Sequence, residues 1–175
     1  MDAFVIASVG ELNDNKNHKV IIEAISQLKE KEQIHYVIAG IGDNADKLRK
    51  LAQELNVNLH LMGYRKDIPQ IYKSADLCAF PSIREGLGMA AIEGMNCELP
   101  LLVARNRGTV EFLQKGTMVC RYFDVNAFAT GIEKLYYNRV LCIEMGEANR
   151  VVSEKFGVCI VNRRMKEIYE QSIVE

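Results

Sequence analysis

The chain has 175 residues, of which 49% are hydrophobic and 26% charged, with a formal net charge of −1. That length suffices for one domain burying about 70% of its unfolded surface. The near-neutral balance leaves no electrostatic footprint for nucleic acid, and no apolar run approaches the ~18 residues of a membrane span. Residues 3–8 are predicted to form a strand, entered without the basic segment or cleavage site of a signal peptide. A polar turn follows, Asn13-Asp14-Asn15-Lys16-Asn17. Val20, Ile21, Ala24, Ile25 and Leu28 then recur at helical spacing. Residues 35–39 read as a second strand, closed by Gly40-Ile41-Gly42. Asn44 is placed to cap a helix reaching Leu55, with Leu48, Leu51 and Leu55 on one face. A third strand covers 59–62 and ends at Gly63. Asp67 is expected to cap a short helix carrying Pro69 in its first turn. Further strands are expected at 77–80, 99–103 and 118–120. Asp124 caps a helix with Phe128, Ile132 and Leu135 inward, and two more helical stretches occupy 140–155 and 158–173.

The strands are near-continuous apolar runs, as expected where helices cover both faces of a sheet. Repeated strand–helix units predict an α/β fold with right-handed crossovers. The expected form is a Rossmann-like, three-layer parallel sheet of about six strands, one domain over residues 1–175. Ligands bind such sheets at the carboxyl ends of the strands, near the switch in strand order. The loops at 10–17, 40–44, 63–66 and 81–88 should therefore share one rim. The five cysteines, Cys78, Cys97, Cys120, Cys142 and Cys159, contain no Cys-x-x-Cys pair and read as reduced thiols, pointing to the cytoplasm.

The most informative segment is Phe80-Pro81-Ser82-Ile83-Arg84-Glu85-Gly86-Leu87-Gly88-Met89-Ala90-Ala91-Ile92-Glu93. Glu85 falls in a strand-to-helix loop and Glu93 inside the following helix. Between them lie the free backbone N–H groups of the helix N-terminus, from Gly86 to Met89, which favour an anion. Two carboxylates flanking a phosphate cradle suit a ligand with hydroxyls at both ends of a diphosphate. Lys16, in the first strand-to-helix loop, would stabilise a phosphate leaving group. Glu11 is awkward beside a phosphate unless it pairs with Lys16 or points away. Gly40-Ile41-Gly42-Asp43-Asn44-Ala45 matches G-x-G-x-x-A, read as a tight turn at the rim, with a dinucleotide site as the alternative. No acid closes the next strand to hold a ribose, which disfavours an NAD-dependent oxidoreductase. Tyr64-Arg65 follows a strand end, as a plain turn or as a wall beside a base. His18, His35 and His60 read as a cap neighbour and two strand-edge residues without a catalytic role. The absence of any Asp-x-Asp argues against a required metal, and no cofactor is expected.

These residues resemble the C-terminal, donor-binding domain of retaining glycosyltransferases of group 1, one half of the two-domain GT-B architecture. The resemblance runs from Val9 to about Leu135, and the E-x(7)-E with Pro-Ser ahead and Gly-Leu-Gly behind is its most specific motif. Gly10-Glu11-Leu12-Asn13-Asp14-Asn15-Lys16-Asn17-His18 is similar to a subgroup associated with bacterial capsule and exopolysaccharide synthesis. Gly63-Tyr64-Arg65-Lys66-Asp67-Ile68-Pro69 and Arg107-Gly108-Thr109-Val110-Glu111 fit as well. The resemblance implies that Glu85 holds donor-sugar hydroxyls, Gly86, Leu87, Gly88 and Met89 the sugar and diphosphate, and Glu93 the ribose. It places Lys16 on the phosphates and Tyr64-Arg65 by the base. The implied donor is a nucleotide-sugar, UDP-linked, and the acceptor a glycan or lipid-linked glycan. It further implies an acceptor domain preceding residue 1, a fragment inactive alone, and at most peripheral association of the whole enzyme with the inner face of the plasma membrane. Alternatives are a noncatalytic nucleotide-binding module of the same fold and a nucleotide-sugar epimerase. Three departures stand out. Glu11 stands where the wider family mostly has arginine, Gly94 where alanine is usual inside the helix, and Glu98 where a helix-ending glycine is common. The loop at 114–118 looks shortened.

Overall fold

The computed structural model of the chain describes residues 3–110 and 116–173. Six strands, β1 (Phe4–Val9), β2 (Ile34–Ala39), β3 (Asn58–Leu61), β4 (Leu77–Phe80), β5 (Leu101–Ala104) and β6 (Thr117–Cys120), form one sheet in the order β3-β2-β1-β4-β5-β6. All pairings are parallel. Between them run α1 (Lys19–Ser26), α2 (Ala45–Leu55), α3 (Ile68–Lys73), α4 (Met89–Asn96) and the short α5 (Arg107–Val110). After β6 come α6 (Val125–Tyr136), α7 (Arg139–Ser153) and α8 (Val158–Ile173). Strand period two divides the core. Leu77, Ala79, Leu102 and Ala104 join the cluster under α1, α2 and α6. Cys78, Phe80, Leu101 and Val103 join the cluster under α3, α4 and α7. The order reverses between β1 and β4, so their following loops leave toward opposite faces and open a crevice.

Several local expectations change. Asn44 makes no capping bond; its amide donates to Asp14 Oδ1 at 2.7 Å, tying α2 to the loop after β1. Asp67 also caps nothing, because both its oxygens are taken by Arg65, at 2.8 Å from Nε and 2.5 Å from Nη2. A charged, two-point bond of this kind outcompetes a neutral cap. Asp124 does cap, accepting from Ala127 N at 3.0 Å. The fifth strand begins at Leu101 rather than 99, since Pro100 has no N–H for the ladder. On α8, Ile168 and Tyr169 are exposed, while the side chain of Ile173, and residues 111–115, lie outside the described residues.

Glycine marks where backbones touch. A Cβ on Gly40 would lie 1.8 Å from the Gly10 carbonyl oxygen, and one on Gly42 2.6 Å from that of Leu12. The Gly-x-Gly is thus spent on close approach between the β1 and β2 loops, stitched by Gly10 N→Ala39 O at 3.0 Å and Leu12 N→Ile41 O at 2.9 Å. Gly94 is likewise required: a Cβ there would sit 2.8 Å from Cys78 Sγ, so its glycine lets α4 lie close on β4. Glu98 closes α4 in the left-handed region (φ 60°), with Glu98 N→Met95 O at 3.0 Å and Leu99 N→Gly94 O at 3.2 Å, the bonding pattern that usually selects glycine there.

A buried polar line crosses the core beneath α1. Ser8 Oγ donates to Ala79 O at 2.6 Å and lies 2.9 Å from Tyr36 Oη, which lies 3.0 Å from His18 Nδ1. His18 is only 3% exposed. Desolvation pulls its pKa from 6.5 to about 4; the nearby Glu11 carbonyl opposes this and the Lys16 charge adds to it.

Two sets of outcomes follow from this packing. Gly40→Ala should lower stability by about 3 kcal/mol, because backbone must move. Glu98→Gly should raise it by about 1 kcal/mol by relieving the left-handed strain. Urea unfolding midpoints check both. His18 binds protons more weakly folded than unfolded, so its contribution is complete above pH 6.5 and is lost as pH falls toward about 4. Between pH 7 and pH 5 the wild type should lose about 2 kcal/mol more than His18→Asn in unfolding titrations.

Candidate functional site

The crevice between β1 and β4 brings together Lys16 and Glu85. Lys16 Nζ lies 2.5 Å from Glu85 Oε1, with the two side chains only 22% and 15% exposed. Local structure fixes each. The Lys16 amide donates to Asn13 Oδ1 at 3.0 Å, and its ammonium sits 5.8 Å from the centroid of the Phe80 ring, within cation–π range. The loop carrying Glu85 is clamped by Asn15, whose amide donates to Arg84 O at 3.0 Å and accepts from Arg84 N at 3.1 Å, while its carbonyl accepts from Ile83 N at 2.8 Å. Asn17, in left-handed backbone at φ 53°, donates to Pro81 O and Tyr122 O at 3.3 and 2.7 Å. From the other side, Asn106 Nδ2 donates to Ser82 O at 2.7 Å. Gly108 in α5 lets Glu85 lie close: a Cβ there would be 2.8 Å from the Glu85 carbonyl oxygen.

Sequence reasoning gives residues 13–17 as a polar turn carrying Lys16 and assigns the asparagines no part. The signal available was the alternation Asn-x-Asn-x-Asn, since amides can both donate to and accept from backbone without adding charge. It also missed Asn106 with Thr109, which exchange bonds at 3.0 and 3.1 Å to shape the turn into α5.

Beyond Glu85 the chain turns into α4 through Gly88, whose left-handed φ of 67° suits glycine. Among the described residues, the N–H groups of Gly86, Leu87, Gly88, Met89 and Ala90 take no partner, which leaves a row of unpaired donors following Glu85. Such a row at a helix start is suited to an anion. Glu93, one turn further, is exposed and makes no ion pair among the described residues. Desolvation nonetheless pushes its pKa above the usual carboxylate value, in the neighbourhood of Tyr72, Cys78 and Cys97.

A second wall of the rim is a cavity of about 690 Å³ that includes Gly10, Glu11, Gly42, Tyr64 and Arg65 in its lining. Tyr64 is 71% exposed there. Arg65 is not a free cation, being gripped by Asp67, and Glu11 pairs with Asn13 Nδ2 at 2.9 Å rather than with Lys16. His35 and His60 stack with 5.3 Å between ring centroids, lining a cavity that also takes in Arg65 and Asp67. No helix of the described residues is long and apolar enough to cross a membrane.

Comparison with known proteins gives this geometry its setting. A Bacillus subtilis (strain 168) protein described as a glycosyltransferase, EpsD, is 36% identical over 173 residues, 96% of this chain and 45% of that protein. The Escherichia coli UDP-Gal:alpha-D-GlcNAc-diphosphoundecaprenol alpha-1,3-galactosyltransferase is 26% identical over 181 residues, 99% of this chain and 47% of the enzyme. The chain thus spans about half the length of these relatives. In fold it is similar to Anabaena Alr3699/HepE, solved in complex with UDP, with a TM-score of 0.91 at 20% identity over 97% of this chain and 49% of that one. It is also similar to the catalytic domain of cholesterol-alpha-glucosyltransferase from Helicobacter pylori, with a TM-score of 0.77 at 20% identity over 87% of this chain and 99% of that one. The sheet is Rossmann-like and corresponds to one half of a GT-B fold. The family model of group 1 glycosyl transferases matches residues 1–152, and the chain belongs to that family.

Proposed function

We propose that this chain is the donor-binding half of a retaining glycosyltransferase. It would move a sugar from a UDP-linked donor to a glycan or lipid-linked acceptor in bacterial surface polysaccharide synthesis, working in the cytoplasm at the inner membrane face. The observation that carries the reading is the Lys16–Glu85 contact of 2.5 Å beside the unpartnered N–H groups of Gly86 to Ala90. The diphosphate lies against those N–H groups and draws the Lys16 ammonium. That movement frees the Glu85 carboxylate for the donor-sugar hydroxyls. Glu93 accepts from the two ribose hydroxyls; it is exposed to a ligand, has no ion-pair partner among the described residues, and its partial desolvation leaves hydroxyl bonds something to restore. The base lies by Gly42, Tyr64 and Arg65 on the rim of the 690 Å³ cavity. The named donor of the Escherichia coli relative and the UDP in the Anabaena structures support a uridine donor.

In the reaction the bond between the anomeric carbon and the phosphate oxygen breaks, and its electron pair goes to the diphosphate. The acceptor hydroxyl attacks from the same face, and its proton passes to the departing phosphate. Lys16 and the helix start stabilise that charge as it grows. No metal or cofactor has a part in this scheme. Acceptor orientation is left to a second domain, so this chain alone holds donor and transfers nothing.

Calorimetric titration with UDP, GDP and ADP tests the assignment. UDP should bind most tightly. Glu93→Ala should weaken it by roughly 1.5–3 kcal/mol, the worth of hydrogen bonds to a charged group, while leaving the unfolding midpoint unchanged or higher. Equal UDP affinity in that variant would overturn the ribose assignment, and no binding of any of the three nucleotides would overturn the donor reading.

A further inference from the structure

We propose that Ser8, Tyr36 and His18 form a hydrogen-bond chain of fixed polarity that sets where Lys16 meets Glu85, with His18 a positioning residue held as its Nδ1–H tautomer. The functional consequence rests on the donor reading above; the chain itself does not.

The polarity follows from proton counting. The Ala79 carbonyl can only accept. Ser8 has one hydroxyl proton and donates it to Ala79 O at 2.6 Å, so toward Tyr36 Oη, 2.9 Å away, it can only accept. The Tyr36 proton therefore goes to Ser8. Burial drives the Tyr36 pKa far above its ordinary value, so that proton stays on the ring oxygen. Tyr36 Oη is left to accept from His18 Nδ1 at 3.0 Å, which must then carry hydrogen. A neutral imidazole protonated at Nδ1 has a bare lone pair at Nε2; His18 Nε2 meets no hydrogen-bond geometry among the described residues, and the nearby Glu11 carbonyl is the group that would favour the opposite tautomer, which the spectra below distinguish. The chain cannot reverse without breaking the 2.6 Å bond to Ala79.

Its position gives it leverage on the site. His18 stands two residues after Lys16. Ala79 stands one before Phe80, the ring beneath the Lys16 ammonium, and β4 leads directly into the loop of Glu85. The chain thus ties the exit of the Lys16 loop to the strand that delivers Glu85. A second observation points the same way. His18 occupies the N-cap position of α1 yet makes no capping bond. Ser, Asn or Asp would stabilise the helix better there. The imidazole directs its one donor inward instead, at the expense of local helix stability. Buried polar links of this sort select one arrangement where apolar packing would accept several.

The test joins a spectroscopic and a binding measurement. In ¹⁵N-histidine spectra at pH 7, His18 should show a protonated Nδ1 and an unprotonated Nε2. His18→Asn places an amide N–H where Nδ1–H stands, and should keep UDP affinity within about twofold of wild type. His18→Gln reaches the Nε2 position instead, and Tyr36→Phe removes the acceptor; each should weaken UDP by roughly five- to tenfold, about one hydrogen bond's worth. Affinities are compared at a temperature where all variants are folded by circular dichroism. An Nε2–H or doubly protonated ring overturns the proposal whether or not UDP binds. Equal affinities in the Asn and Gln variants, or losses that simply follow stability, overturn the positioning role. Failure of the wild type to bind UDP, with the tautomer as stated, overturns the donor reading alone and leaves the chain of fixed polarity standing.

Discussion

Lys16 and Glu85 are 69 positions apart in sequence and 2.5 Å apart in space, and the rest of the rim is built around that contact. It spans the place where strand order reverses. β1 sends its chain toward one face of the sheet and β4 toward the other, so nothing in the backbone ladder closes the gap beyond them. The pair does so with side chains. A partly buried ion pair is a weak source of net stability, since desolvation offsets much of the attraction. What it does supply is geometry, because removing one partner leaves the other charge without compensation in a half-dry crevice. The contact is better understood as holding two charged groups in register than as holding the fold together.

Register of that quality needs support that adds no competing charge. The chain obtains it from neutral amides and from glycine. Asn13, Asn15, Asn17 and Asn106 each bond to main chain of the two loops or their supports, through both oxygen and nitrogen in several cases. Gly40, Gly42 and Gly108 let main chain lie against main chain where any side chain would intrude. Substituting lysines or acids for the asparagines could match the hydrogen bonds but would alter the potential at the place where an anion is expected to bind. The same economy explains why the polar line through Ser8, Tyr36 and His18 is neutral: burial holds the histidine uncharged and the tyrosine protonated.

The parts of this architecture legible in the sequence are those with a short-range signature. Apolar runs separated by helical periodicity give all six strands and the order of the helices except the four-residue α5, which is too short for a periodic signature, and the rim loops follow from the rule that ligands gather at strand ends. Misreadings arose where a side chain had a choice of partner. Asn44 and Asp67 have the composition of caps, but a carboxylate thirty positions away and an arginine two positions away offered better bonds. Gly94 reads as a helix defect in one dimension and as a necessity once Cys78 is known to lie under it. His18 reads as a neighbour of a cap because its partners, Ser8 and Tyr36, come from two strands whose register no local pattern reveals. Glu98 is the opposite case: the family resemblance marks its position as one where a helix-ending glycine is common, and its left-handed backbone agrees.

Charge balance at the rim decides how an anion could be held there. Lys16 is matched by Glu85 and Arg65 by Asp67, and Glu11 adds a carboxylate on the cavity wall. Lys16 and Arg65 therefore offer little uncompensated positive charge, although Arg84, Arg105 and Arg107 on the neighbouring loops form no ion pair among the described residues. An exposed pair such as Arg65–Asp67 is screened by water and salt, and releasing its arginine to a phosphate would leave Asp67 bare. The backbone has no such penalty. The N–H groups of Gly86 to Ala90 are neutral, take no partner among the described residues, and lie at the positive end of the α4 dipole. They attract an anion without any counter-charge to displace. Under the proposed function the first anion contact is main chain, shaped by Gly86 and Gly88, and Lys16 is a cation poised to exchange between Glu85 and a bound phosphate.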